Sequence, residues 1–287
     1  MRADNIKETP MKPIKTIYKI AFICAMIAAI LPSIPQTASA VGGLLVSPKR
    51  VVFGPNERLQ EIRVVNRGEE TQKYRISVIN RKMMEDGQMQ PATQPGENEF
   101  FADKFLRYGP RQVELGPKET QTIRLMSRLP ANAQPGEYRS HILVQEIPEA
   151  SAAQDAANNA DGSVGVNVQA IFGMSIPVFM RKGDLSADIT LSNAKIIRSD
   201  GSTFAQVNIN RSGNKSVLGT AKVFAGDEEI AILKGIAVYL SAPYRTVLLE
   251  IPEEYAKTIA GKTLRVTYTA SETGEDTPPA EISFNAS

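Results

Sequence analysis

The chain carries one histidine, His141, and one cysteine, Cys24, in 287 residues. A transition-metal site built from imidazole and thiolate is therefore excluded in practice. A Cys–His nucleophile pair and a disulfide framework are excluded as well. Any Ser-His-Asp arrangement would have to use His141. Two stretches, Ser192 to Lys195 and Ser212 to Lys215, match S-x-x-K, but neither is accompanied by the S-D-N and K-T-G elements of such a site. No phosphate loop, G-x-S-x-G or G-x-G-x-x-G occurs. Gly226-Asp227-Glu228-Glu229 has oxygen ligands for calcium and reads as an acidic hairpin tip. His141 falls mid-strand and reads as a packing or surface residue. The sequence thus points to a protein that is not an enzyme and needs no metal or cofactor.

One stretch has the chemistry of recognition instead. In 164–181, VGVNVQAIFGMSIPVFMR, the residues Val164, Val166, Val168, Ala170, Phe172, Met174 and Ile176 recur at every second position. Gly165, Asn167, Gln169, Gly173 and Ser175 lie opposite. A period of two places the apolar set on one face of a strand, and the stretch is about twice the usual strand length. Pro177 cannot donate a ladder hydrogen bond, which marks an edge or a bulge. A long apolar edge is normally an aggregation hazard. Two readings follow: an ordinary buried strand, or an edge over 164–176 kept open for another chain.

The elements around it are short strands and turns. Leu44 to Val46, Val51 to Phe53, Glu61 to Asn66, Tyr74 to Val78, Val113 to Leu115, Thr120 to Leu125 and Tyr138 to Ile147 alternate, with turns such as Asn66-Arg67-Gly68-Glu69 and Pro135-Gly136 between them. Residues 81–100 read as a long polar loop. Seven or so strands at this spacing predict an immunoglobulin-like sandwich. Residues 149–163, rich in Ala, Asn and Asp, read as a mobile hinge loop. Lys182-Gly183-Asp184 reads as a linker. Strands resume from Ile189 to Tyr268, and Pro252 to Lys257 suits one or two helical turns. The fold class is all-β, with a signal segment at 1–40, one sandwich over 41–182 and a second β-sandwich over 183–287.

The first 40 residues form an address. Lys12, Lys15 and Lys19 precede an apolar run from Ile20 to Leu31, and Ala38-Ser39-Ala40 fits a cleavage site. Met11 would serve as a start, since the signal is complete from there. The apolar run is short for a membrane span, and Cys24 inside it makes a poor lipid-attachment signal. Cleavage after Ala40 is expected, leaving no membrane insertion and the periplasm as the compartment. The whole chain has 33 basic and 31 acidic residues, net +2. Cleavage would leave 28 basic and 29 acidic, net −1, and no cysteine. Neither balance suits a nucleic-acid partner.

Ser47-Pro48-Lys49-Arg50-Val51-Val52-Phe53, Val64-Val65-Asn66, Tyr74, Leu115-Gly116-Pro117, Ile123-Arg124-Leu125, Leu129-Pro130, Gly136-Glu137-Tyr138 and Gln145-Glu146-Ile147-Pro148 follow one another in a specific order. With the long strand ending at Val178-Phe179-Met180-Arg181, they resemble the periplasmic pilus-assembly chaperones of the PapD-like family, as a divergent member. The match covers about 140 residues well. The resemblance implies two immunoglobulin-like domains joined at an angle like a boomerang. It implies donor-strand complementation, with Val164, Val166, Val168, Ala170 and Phe172 entering the groove of a pilus subunit, and delivery of that subunit to an outer-membrane usher.

The resemblance also implies a cleft in which a basic pair anchors the subunit's terminal carboxylate. Arg50 matches the first member; a surface arginine is the alternative. The second, usually a lysine, falls at Pro177, so Lys49, Arg124 and Arg139 are candidates to replace it. Glu137 and Arg181 match an interdomain charge network whose acidic third member is unplaced, with Glu272 as a guess. A competing reading is a secreted immunoglobulin-like pilus subunit or adhesin. Against it, the alternating strand lies mid-chain and residues 41–43 leave no donor extension. A hydrolase on a β-sandwich is disfavoured by the absent motifs.

Overall fold

The computed structural model describes residues 43–54, 56–96, 98–148, 170–271 and 279–286. The signal segment 1–40, the hinge loop 149–163, Val164, Val166, Val168 and Glu272 lie outside them. The chain is nearly all β. Its first eleven strands are β1 (Leu44–Ser47), β2 (Val51–Phe53), β3 (Leu59–Asn66), β4 (Gln72–Ile79), β5 (Arg81–Met83), β6 (Met89–Pro91), β7 (Leu106–Gly109), β8 (Gln112–Leu115), β9 (Thr120–Ser127), β10 (Gly136–Glu146) and β11 (Gly173–Lys182). Then come β12 (Ala187–Ser199), β13 (Ser202–Gly213), β14 (Val217–Ala225), β15 (Glu228–Val238), β16 (Tyr244–Ile251), the helical turn α1 (Glu253–Ala256) begun by Pro252, β17 (Thr263–Ala270) and β18 (Ala280–Asn285).

Two sheets, ordered β1-β3-β9-β7 and β2-β11-β10-β4-β8, face each other across a first core. Alternation dictates that core: Val46, Ile62, Val64, Tyr74, Ile76, Ile142, Val144 and Ile176 point inward and are buried. Each such aliphatic side chain contributes about 1.5–3 kcal/mol of burial. Chain 44–53 changes sheets between β1 and β2, which sets Arg50 immediately before β2. A second pair of sheets, β12-β13-β16 and β15-β14-β17-β18, encloses a second core that includes Val207, Val223, Leu249 and Val266.

Residues 81–100 are not simply a loop. They open with the β5–β6 hairpin, which lies on the second sandwich. The Met83 amide donates to Ser241 Oγ at 2.8 Å and the Thr246 amide to the Glu85 carbonyl at 2.7 Å. Gly87 has φ +84 at the hairpin tip, and a Cβ there would fall 2.4 Å from Arg245 Nε. A small apolar cluster joins the hairpin to both sandwiches through Met83, Phe179, Ala237, Tyr239 and Ala242. Polarity misled the loop reading, because the hairpin's one buried apolar anchor, Met83, is surrounded by Lys82, Glu85 and Asp86.

Candidate functional site

β10 is central in its sheet and buried along nearly its whole length. Its even positions Tyr138, Ile142 and Val144 enter the first core. Its odd positions Glu137, Arg139 and His141 are also buried, at 0%, 2% and 3% exposure. They lie on the opposite face, against the second sandwich. Antiparallel pairing sets Glu137 beside Arg181, Arg139 beside Phe179 and His141 beside Pro177. β2 runs parallel on the other side of β11, with Val51 beside Val178 and Val52 beside Phe179. Continuing that register one residue puts Arg50 level with Pro177. Strand periodicity thus gathers Arg50, Pro177, His141, Phe179, Arg139, Arg181 and Glu137 on one face.

The ring of Phe179 is the hub. The Arg50 guanidinium stacks over it at 4.1 Å, and that of Arg181 lies 5.7 Å from its centroid. Tyr239, which follows β15, packs 5.8 Å from Phe179 and 6.5 Å from His141. Arg139 lies over the other side of the group, 4.4 Å from the Tyr239 centroid. Cations over ring faces gain from the ring quadrupole, most where water is excluded. Arg139 Nη2 forms a buried ion pair with Glu99 and lies 3.5 Å from Ser241 Oγ. Its Nε and Nη1 are buried without a partner among the described residues, as is His141 Nδ1.

The site is electropositive. Burial pushes the Tyr239 hydroxyl up, while Arg50, Arg139 and Arg245 all pull it down and Glu137 pushes it up. Burial holds the His141 imidazole down at about 3, and the charges of Arg139 and Arg81 add to the depression. His141 is therefore a neutral packing group among guanidiniums. Such a cluster, with Glu99 and Glu137 the only buried acids among the described residues, is suited to receive an anion, and paired guanidinium N–H donors match a carboxylate.

Glu137 and Arg181 are brought together. Arg181 donates from Nε at 3.0 Å, and its Nη2 lies 2.9 Å from the same carboxylate. The second sandwich supplies a backbone group here: the Ser216 amide donates to Glu137 at 3.3 Å, and the Ser216 carbonyl lies 3.4 Å from Arg181 Nη2. The candidate replacements for the second cation separate. Lys49 is exposed. Arg124 sits in the other sheet on β9, 75% exposed beside Glu61. Only Arg139 shares the face of Arg50.

The described part of the long alternating strand is β11, which begins at Gly173. Its even residues Met174, Ile176, Val178 and Met180 face the first core, as the period of two requires. β2 covers only Val178 to Met180. From Gly173 to Pro177 the strand is paired with β10 alone among the described residues. Pro177 stands where the double pairing stops. The Phe172 carbonyl still accepts from the Glu146 amide at 2.9 Å, half-buried, while Ala170 and Ile171 are exposed.

The remaining motifs resolve simply. Ser192 and Lys195 flank a bulge in β12, where Asn193 has φ +54. Ser212 lies at the end of β13 opposite Asp188 and Lys215 lies in the turn that follows, and Gly226-Asp227 is a tight turn between β14 and β15. Among the described residues no acidic or histidine cluster could hold a metal ion, and no helix is long and apolar enough to cross a membrane. Sequence reading missed Glu99, Phe179 and Tyr239, because alternation identifies two faces but not which of them a second sandwich covers.

No family model matches the sequence, and no curated protein matches it. Solved structures similar to it include the YadV chaperone, with TM-score 0.46 and 14% identity over 85% of this chain and 100% of that one. The Pseudomonas aeruginosa CupB2 chaperone follows with TM-score 0.43 and 13% identity, over 85% of this chain and 100% of that one. The CsuC–CsuE chaperone–tip adhesion subunit pre-assembly complex of Acinetobacter baumannii is similar with TM-score 0.43 and 14% identity, over 86% of this chain and 100% of the matched chain.

Proposed function

We propose that this protein is a periplasmic chaperone for pilus subunits, which it stabilises by lending an edge strand before passing them to an outer-membrane usher. One observation carries the reading. Among the described residues, β11 is paired on both sides over Val178 to Met180 but on one side only from Gly173 to Pro177. Upstream the sequence continues the same apolar parity through Phe172, Ala170, Val168, Val166 and Val164. An open strand edge offers main-chain hydrogen bonds, and alternate side chains fill pockets of the partner. Each buried valine would contribute on the order of 1.5 kcal/mol before ordering costs. Arg50 is the residue proposed to hold the subunit's terminal carboxylate, and the Glu137–Arg181 pair to fix the two sandwiches.

The test is co-expression with a pilus subunit. Val166→Asp and Val168→Asp are expected to remove the subunit from the purified complex while circular dichroism of the chaperone stays unchanged. A charge forced into an apolar groove costs several kcal/mol. Recovery of subunit at the wild-type level contradicts strand donation.

A further inference from the structure

Arg139 is 2% exposed, yet two of its guanidinium nitrogens, Nε and Nη1, have no partner among the described residues. A buried cation with unmet donors is costly unless something completes it. Its one ion-pair partner among the described residues is Glu99, 3% exposed, on the segment between β6 and β7. That segment is pinned to β10, since the Arg139 amide donates to the Phe100 carbonyl at 2.8 Å. Glu99 Oε2 accepts from the Gly96 amide at 3.3 Å, so the carboxylate is held by its own turn as well as by Arg139. Arg50 and Arg139 meet the same aromatic pair: Arg50 lies 4.1 Å from the Phe179 ring, Arg139 lies 4.4 Å from Tyr239, and the rings are 5.8 Å apart.

Resting on the chaperone reading above, we propose that Arg139 is the second cation of the carboxylate site, and that Glu99 is a resident carboxylate with which the subunit's terminus competes. Arg50 is the half-buried member and Arg139 the deeper one. The two guanidiniums border one aromatic pair, so a carboxylate bound there would draw on the N–H donors of Arg139 as well as on Arg50. Glu99 orients Arg139 in the empty chaperone. The same charge repels the incoming one, so the site releases its client more readily than two unopposed guanidiniums would. Glu99 thereby sets the affinity of the site.

The probe is N-acetyl-Thr-Val-Thr-Val-Tyr with a free terminal carboxylate, compared with its terminal amide, titrated into the full mature chain. Wild type is expected to prefer the carboxylate, with a shift of the Arg139 Nε–H resonance that the amide does not produce. Glu99→Gln keeps the shape and an acceptor but removes the charge, and is expected to tighten carboxylate binding about tenfold, within the usual range for coupled sites. Arg139→Gln is expected to abolish the preference and Arg139→Lys to retain part of it, because an ammonium lacks the planar fork. Amide binding should be equal in all variants, which a merely structural role for these residues would not give. Weaker carboxylate binding by Glu99→Gln, or an unmoved Arg139 Nε–H resonance in wild type, overturns the inference while the chaperone reading stands. If wild type shows no preference for the carboxylate over the amide, the carboxylate anchor itself falls.

Discussion

Two buried carboxylate–guanidinium pairs sit two residues apart on the same face of β10, and they are built differently. In one, the strand contributes the acid: Glu137 receives Arg181 and the Ser216 amide. In the other, the strand contributes the base: Arg139 holds Glu99 and keeps two nitrogens without a partner among the described residues. A buried carboxylate with several donors around it is complete, and breaking it exposes an uncompensated charge. A buried guanidinium has five donors in a fixed fork and needs more than one carboxylate to fill them. The first pair is a joint between sandwiches. The second has room in its hydrogen bonding for a ligand.

Removing the joint should have the largest effect. Glu137→Ala leaves Arg181 and the Ser216 amide without their acceptor, and is expected to lower stability by about 3–5 kcal/mol. Urea unfolding measures it, and a loss no greater than that of an exposed pair would show that Glu137 is dispensable. Arg50→Ala should act on capture rather than on folding. Loss of one partner of a desolvated charge pair costs about 2–5 kcal/mol of affinity, with Arg50→Lys restoring part. Near-wild-type subunit affinity of Arg50→Ala would move the anchor elsewhere.

The imidazole two residues beyond Arg139 on β10 gives a pH signature. His141 is held at about 3 in the folded protein against an ordinary value of 6.5. The unfolded chain therefore binds the extra proton first. Stability is fully present above pH 6.5 and falls as pH drops towards 3, by about 1.4 kcal/mol per pH unit from this group. His141→Phe should flatten that slope in unfolding curves taken between pH 4 and 7. An unchanged slope would mean that the imidazole is not buried neutral. The smallest effect belongs to Arg124→Ala. This residue is exposed and its partner is Glu61, so it should cost under about 1 kcal/mol and leave subunit affinity unchanged.

Much of this was legible in the residues. The period of two through Met174 and Ile176 gathered one apolar face of β11, and the structure turns that face to the first core; the Pro252 start specified α1. The same period placed Glu137, Arg139 and His141 together on the other side. It could not say that this side is buried, because a polar stripe on a strand reads as solvated until a second layer covers it. That cover comes from Tyr239 and Ser241, about a hundred residues later. The β5–β6 hairpin escaped notice for a related reason: its stability derives from docking on the second sandwich, through Met83 and Gly87, rather than from its own pattern. Lys49, Arg124 and Arg139 were equivalent as basic residues in the sequence, and only sheet order separates them.

The central claim is that one strand is closed over Val178 to Met180 and open upstream for a subunit. Amide hydrogen exchange, followed residue by residue in the free protein and in a complex with a subunit, tests it most directly. The account predicts that the β2-facing amides of Val178 to Met180 are protected in both states. It predicts that the outward-pointing amides between Gly173 and Ser175, and those of the Val164 to Phe172 stretch, exchange quickly in the free protein and become protected in the complex. Upstream amides already protected in the free chain, or left unprotected when the subunit binds, would contradict it.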